Sequence, residues 1–286
     1  MTTPTFDAQA YKATTRDQWQ SAATAWDNWG PTIEKWLGPA TDTMLDLAGV
    51  STGCRVLDVA AGSGGQTLVA ARRVGPDGRV LATDIAPAIL ALAEHNARAA
   101  GLTNVAVRVM DGEQLEVEPG CYDAAISRVG LIYFPDRIAA LQGIRRALRS
   151  GGRHAALVYS TPAANTFFSI PISVIRERAN LAPPPPGAPG PFCLGDPGVA
   201  EQALADAGFV DVSAVRLDAP VCLPSTADFV RFAQESFGAL HQMMAGLDQA
   251  GRDATWAEIA DRLKAFEGPD GWVGPCEMIV VAGTAP

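Results

Sequence analysis

The sequence is poor in the side chains that most often move protons or bind metals. It has three histidines in 286 residues: His95, His154 and His241. Its five cysteines, at positions 54, 121, 193, 222 and 276, are odd in number and form no CxxC pair. Neither a disulfide framework nor a zinc site is indicated. Cations are also scarce. Lys and Arg number 22 against 31 Asp and Glu, for a net charge of −9 and a pI near 4.8. An acidic surface repels phosphates, which argues against a nucleic-acid partner. No run of about 18 apolar residues is present to span a bilayer. The N-terminal stretch has no basic segment followed by an apolar one, so no signal peptide is expected. No internal repeat is visible. The expectation is a cytoplasmic protein away from membranes, with a homodimer left open. The length suits one large α/β domain, or one domain plus a cap.

Against these absences stands one dense stretch, Cys54 to Gly65. Val56, Leu57 and Val59 form the short apolar run of a strand buried on both faces. The run stops at Ala60, Ala61, Gly62, Ser63, Gly64 and Gly65. Thr67 to Val74 then reads as a helix with Pro76 just beyond it. Strand, glycine-rich turn and helix open a nucleotide-binding βαβ unit. Glycine lets a ligand approach the backbone. The dinucleotide fingerprint fits poorly, because its third glycine position holds Thr67.

The stretch is followed by alternating elements. Strands are expected at Arg79–Thr83, Val105–Met110, Tyr122–Ser127 and Arg153–Tyr159. Helices are expected at Pro87–Ala100 and after Asp136. Such alternation argues for a doubly wound parallel sheet. Before it, Trp26, Trp29, Ile33, Trp36 and Leu37 suit amphipathic helix broken at Gly30-Pro31, with a separate helix from Pro39 to Ala48. After it, a helix is expected over Ile170–Ala179 and a stiff proline-rich stretch over Ala182–Pro191. Another helix opens at Asp196-Pro197, one strand runs from Val210 to Val221, and Ser225-x-x-Asp228 resembles a capping box. Helical segments follow, then a final strand at Met278–Ala282.

Three acids fall at the carboxyl ends of the first three strands: Asp58, Asp84 and Asp111. Ligands bind at that edge of an open α/β sheet. Asp84 follows the glycine turn at the spacing where an acid meets a ribose diol. Asp111-Gly112 suits an acid facing an adenine amino group, and Asp58 suits the positive end of the ligand.

Together these pieces resemble the class I S-adenosylmethionine (SAM) dependent methyltransferases, especially the ubiquinone/menaquinone-biosynthesis-like branch. The matching residues are Val56 to Gly64, Ala82-Thr83-Asp84-Ile85, Met110-Asp111-Gly112-Glu113, Tyr122 to Ile126 and Leu148 to Arg153. The resemblance covers about residues 50 to 160. It implies a Rossmann-like, seven-stranded, doubly wound sheet, mostly parallel with an antiparallel last strand, carrying helical N-terminal and inserted cap segments. The expected divisions are a helical lid (1–50), the SAM-binding core (51–160), a substrate cap including strand six (161–270) and a final strand (271–286). The implied cofactor is SAM, with S-adenosylhomocysteine as product. The residues implied to hold it are Asp58, Ala60, Gly62, Gly64, Thr67, Asp84, Ile85, Met110, Asp111, Gly112, Ser127 and Arg128.

Strand four ends in Ser127-Arg128-Val129-Gly130. It lacks the Asn-Pro-Pro-Tyr-like turn of nucleic-acid and some protein amine methyltransferases. No acidic pair follows it to hold a catechol-chelating magnesium, and no metal is expected. The expected activity is methyl transfer to a small, largely apolar or aromatic acceptor on oxygen, carbon or nitrogen. Trp26, Trp29, Tyr159 and Phe168 are candidate acceptor contacts. His241 and Tyr133 are the candidate catalytic side chains. Two alternatives stand beside this: a SAM-binding protein without transfer activity, and a NAD-type oxidoreductase.

Overall fold

The computed structural model describes residues 6–286. Residues 1–5, on which much of the signal-peptide reading rests, lie outside it. Two helices, α1 (Ala8–Asn28) and α2 (Gly30–Leu47), lead into the core. The core runs β1 (Arg55–Val59), α3 (Gly65–Val74), β2 (Arg79–Asp84), α4 (Pro87–Ala99), β3 (Val105–Val109), β4 (Tyr122–Arg128), α5 (Arg137–Ala147) and β5 (Leu148–Tyr159). Beyond it come α6 (Thr166–Arg178), α7 (Val199–Asp206), β6 (Val210–Asp218), β7 (Val221–Leu223), α8 (Thr226–Ser236), α9 (Gly238–Met243) and α10 (Gln249–Leu263). Three strands close the chain: β8 (Glu267–Gly268), β9 (Gly271–Gly274) and β10 (Glu277–Thr284).

Seven strands form the main sheet in the order β3-β2-β1-β4-β5-β10-β6. Only β10 runs antiparallel to its neighbours, β5 and β6. The order reverses between β1 and β4, so a crevice opens at their carboxyl ends, where α/β sheets bind ligands. Val56, Leu57 and Val59 are buried, as are Ala155 to Val158 and Met278 to Ala282. These are the near-continuous apolar runs of strands covered on both faces.

Local chemistry sets several boundaries. Asp136 caps α5 by accepting from the Ala139 N–H, and Ser225 caps α8 by accepting from Asp228. Pro87 opens α4, whose capping residue Ala86 has no polar side chain. Gln20 of α1 supplies the missing acceptor, taking the Ala88 N–H at 2.6 Å. The N-terminal region thereby satisfies an orphan donor of the core.

Three expectations need correction. The helix expected to begin at Pro39 is instead the continuation of α2, with Pro39 inside it. Pro39 and Lys35, whose carbonyl loses its partner, both lie on the exposed face, where water can replace the missing bond. The opposite face buries Ile33, Trp36, Leu37, Ala40 and Met44. The strand expected over Val210–Val221 is two strands in two sheets. The Ala219 N–H still bonds Cys276 O, Pro220 has no N–H to offer, and Val221 pairs with Gly274. Strand β7 thus belongs to a small sheet, β7-β9-β8, that the sequence reading did not foresee. Finally, β5 begins at Leu148 rather than Arg153.

Many aromatics of the flanking regions are ordinary core. Trp36, Phe167, Phe229, Phe232 and Trp272 are all buried. Trp272 stacks on Phe229 at 4.4 Å between ring centres, and its Nε1–H donates to Leu263 O. Trp36 Nε1–H likewise donates to Ala219 O. Buried indoles need such acceptors.

Candidate cofactor and acceptor cleft

One cleft lies over the carboxyl edge of β1, β2 and β4. Its floor is Ala60, Ala61 and Gly62 after β1, Asp84 and Ile85 after β2, and Arg128, Val129 and Gly130 at the end of β4. Met110, Asp111 and Gly112 close one side. The opposite wall comes from outside the core: Lys12, Gln18, Trp19 and Trp26 of α1, Phe168 of α6, and Ser236 to Ala239 where α8 meets α9. Tyr133, Phe134 and Tyr159 complete it.

Two strained turns form the floor. Ala60 and Val129 have φ of +60° and +61°. That region is costly for a residue with a Cβ, and most of all for a β-branched one. Among the described residues, the remaining non-glycine positions with positive φ are Asn180 and Asp211, types that tolerate it. The two strained turns meet directly: a Cβ on Gly130 would lie 2.6 Å from Ala60 Cβ and 2.7 Å from Ser127 Oγ.

The glycines of the first turn do different work. Gly64 faces α4, where a Cβ would fall 2.9 Å from Ala93 Cβ and 3.1 Å from its Cα. It permits two helices to pack. Gly62 faces open space, with nothing closer than 3.9 Å to an added Cβ. Its bareness leaves room in the cleft itself. The Gly62 N–H donates to Asp84 Oδ2 and the Ala86 N–H to Asp84 Oδ1, each at 3.0 Å. Each carboxylate oxygen keeps a further lone pair. Burial raises the Asp84 carboxyl from its ordinary range, against the pull of these backbone bonds.

Asp58 sits elsewhere. It is completely buried under the turn, accepting from Gln66 Nε2 at 3.1 Å and Thr67 Oγ1 at 2.6 Å. Burial pushes its carboxyl up to about 6 despite those two bonds and the nearby Arg128. Of the expected cofactor residues, Asp58, Gly64, Thr67 and Ser127 lie behind the cleft rather than on it. Ala60, Gly62, Asp84, Ile85, Met110, Asp111, Gly112 and Arg128 line it.

Arg128 is an unusual tenant. Its Nη1 donates to Thr41 Oγ1 at 3.2 Å, and it forms no ion pair among the described residues. Burial lowers it to about 10, with Asp58 acting the other way. It is therefore a charged guanidinium with spare donors beside the glycine turn. Its Nη2 stands 2.6 Å from where a Cβ on Gly65 would be. Ser127 Oγ, next to it, is buried without a partner. Unsatisfied groups of this kind are uncommon in folded proteins.

The α1 wall is tied down at three points. Lys12 bridges Asp111 Oδ2 at 2.7 Å and Glu113 Oε2 at 2.8 Å. Gln20 caps α4. Asp27 accepts from Asn96 Nδ2, which also reaches Ser63 O. Of the expected acceptor contacts, Trp26, Tyr159 and Phe168 line the cleft. Trp29 does not: its Nε1–H donates to Glu235 and its ring packs on Phe232 under Arg231. Tyr133 lines the cleft, whereas His241 lies outside it. The His241 Nε2 pairs with Gln234 O, and its exposed ring packs against Trp256. His154 is buried in the sheet with Nδ1 on Ala125 O and Nε2 unpartnered. Lys12 and Phe134 were not among the expected site residues. Among the described residues, no group of three or more His, Cys, Asp or Glu side chains is placed to hold a metal.

The arrangement agrees with what comparison finds. The methyltransferase domain family matches residues 56–152. An uncharacterized protein of Mycobacterium tuberculosis is 34% identical over 188 residues, 65% of this chain; the match spans 63% of that protein's length. Nocamycin O-methyltransferase of Saccharothrix syringae is 30% identical over 201 residues, 67% of this chain and 72% of that one. Among solved structures, the YcgJ protein of Bacillus subtilis shares the fold, with a TM-score of 0.57 at 17% identity over 86% of this chain and 98% of that one. With this strand order, this glycine turn and these relatives, the chain belongs to the SAM-dependent methyltransferase family.

Proposed function

We propose that this protein transfers a methyl group from SAM to a small, largely apolar or aromatic metabolite. The observation that carries this reading is the meeting, in one cleft, of a nucleoside-type floor with an aromatic wall built outside the core. The floor fits the cofactor. Asp84 offers two oxygens to a ribose diol. Asp111 and Gly112, under the Phe134 ring, suit the adenine. Arg128 offers spare donors to a carboxylate at the amino-acid end, and an ion that is otherwise buried unpaired gains most from such a partner.

When bound, SAM supplies a methyl group activated by the sulfonium. The protein's own contribution is alignment and exclusion of water, which together can provide much of the rate. Helix α1, held shut by Lys12, Gln20 and Asp27, acts as a lid over that space. Trp19, Trp26, Phe168 and Phe237 then define a flat, greasy acceptor site. The name of one relative, an O-methyltransferase, supports oxygen as the acceptor atom. The net charge of −9 argues against a nucleic-acid acceptor.

The test is incubation with methyl-labelled SAM and a library of flat aromatic hydroxy and carboxylic compounds. Label entering an organic-soluble product, with S-adenosylhomocysteine released, is the expected result. Tight SAM binding with no transfer to any acceptor would favour a binding protein instead.

A further inference from the structure

Among the described residues, the acceptor end of the cleft carries hydroxyl donors and no free base. Tyr133, in the turn after β4, and Tyr159, at the end of β5, both line it. Ser236, at the last turn of α8, lines the same space; its Oγ is buried and unpartnered.

The other ionisable groups facing the cleft are already committed. Lys12 is paired with Asp111 and Glu113. Asp84 holds the Gly62 and Ala86 amides. Arg128 is a permanent cation. The three histidines are elsewhere: His95 is exposed on α4, His154 is locked in the sheet, and His241 is outside the cleft. A neutral alcohol or a protonated amine would need a base to become nucleophilic, and among the described residues none is free for that role within the cleft.

Resting on the methyl-transfer reading above, we propose that the acceptor arrives already ionised. It is a flat molecule presenting a carboxylate, or an acidic enol or phenol oxygen, and the hydroxyls of Tyr133 and Tyr159 hold that anion. In the transfer, a lone pair of the acceptor oxygen forms the new O–C bond. The pair of the breaking S–C bond stays on sulfur, the two opposite charges cancel, and no proton moves. Burial keeps both tyrosine hydroxyls well above the usual phenol range, so they stay protonated and serve as donors. Arg128 adds positive potential near Tyr159.

The test uses two probes of the same shape and different charge. 2-Naphthoate and 2-naphthamide are titrated into protein saturated with S-adenosylhomocysteine at neutral pH. The carboxylate is expected to bind at least about tenfold more tightly, the scale of a hydrogen bond to a charged group. Tyr133→Phe and Tyr159→Phe should each erode that preference severalfold. Titration of S-adenosylhomocysteine into each variant checks that it is folded. Equal binding, preference for the amide, binding of neither probe, or a preference untouched in both variants would overturn the proposal. If S-adenosylhomocysteine itself fails to bind the native protein, the methyl-transfer reading fails first; if it binds and the charge preference is missing, only the inference about the acceptor fails.

Discussion

The two ends of the cleft are built by different means. The end under the glycine turn is made of backbone: strained turns at Ala60 and Val129, bare glycines, and amides pinned by Asp84. The opposite end is made of side chains delivered by helices far apart in sequence, with Trp19 and Trp26 from α1, Phe168 from α6 and Phe237 after α8. A backbone site tolerates little change in its own residues. A side-chain site can be re-lined without disturbing the sheet. One fold can therefore keep its cofactor while its acceptor changes.

The largest effect should come from breaking the backbone end. Gly64→Val introduces a β-branched residue at φ +89° and drives it into Ala93 of α4. A left-handed conformation costs about 1–2 kcal/mol and overpacking about 1–3 kcal/mol more. Gly62→Ala meets the first cost without the second, because its Cβ enters open cleft. Denaturant unfolding should show a loss of roughly 2–5 kcal/mol for the first variant, against about 1–2 kcal/mol for the second. Equal losses would mean that both glycines serve packing alone.

A smaller effect separates the two regions by pH. Two buried groups of the sheet, His154 and Asp58, act in opposite senses. Burial brings His154 down to about 4, so the folded protein refuses a proton that the unfolded chain accepts near 6.5. That contribution is present at neutral pH and is lost as pH falls from about 6.5 to 4, to a limit of about 3 kcal/mol. Asp58 works in the opposite sense. Its folded carboxyl holds a proton up to about 6, so its effect favours the fold at low pH and fades as pH rises from 3.8 to about 6. The urea midpoint at pH 4.5 should therefore rise relative to that at pH 7 in His154→Leu and fall relative to it in Asp58→Asn. Identical pH slopes in native protein and His154→Leu would remove His154 from the account.

The same contrast explains what was legible in the sequence. The turn at Gly62, the acids at Asp84 and Asp111 and the alternation of elements are local patterns, and the resemblance to the methyltransferase family rests on them. The contacts of the N-terminal helices are not local. Lys12 and Asp111 are 99 residues apart, Gln20 and Ala88 68, and Trp29 and Glu235 206. Nothing in the neighbourhood of Lys12 marks it as a clasp. Asp58 misleads for another reason: alternation along β1 turns it toward α3, where Gln66 and Thr67 claim both oxygens. His241 stood out as a histidine in an unassigned region. Whether it faced the cleft depended on how α8 and α9 pack, which short apolar patterns do not specify.

If Asp84 anchors SAM at the backbone end of this cleft, removing its carboxylate should weaken cofactor binding. The direct measurement is calorimetric titration of S-adenosylhomocysteine into the native protein and into Asp84→Ala, with thermal melting to confirm that the variant is folded. Native protein should bind in the micromolar range, and the variant should lose about 1.5–3 kcal/mol, roughly 10- to 150-fold in affinity. No binding to native protein, or equal affinity in a folded Asp84→Ala variant, would contradict it.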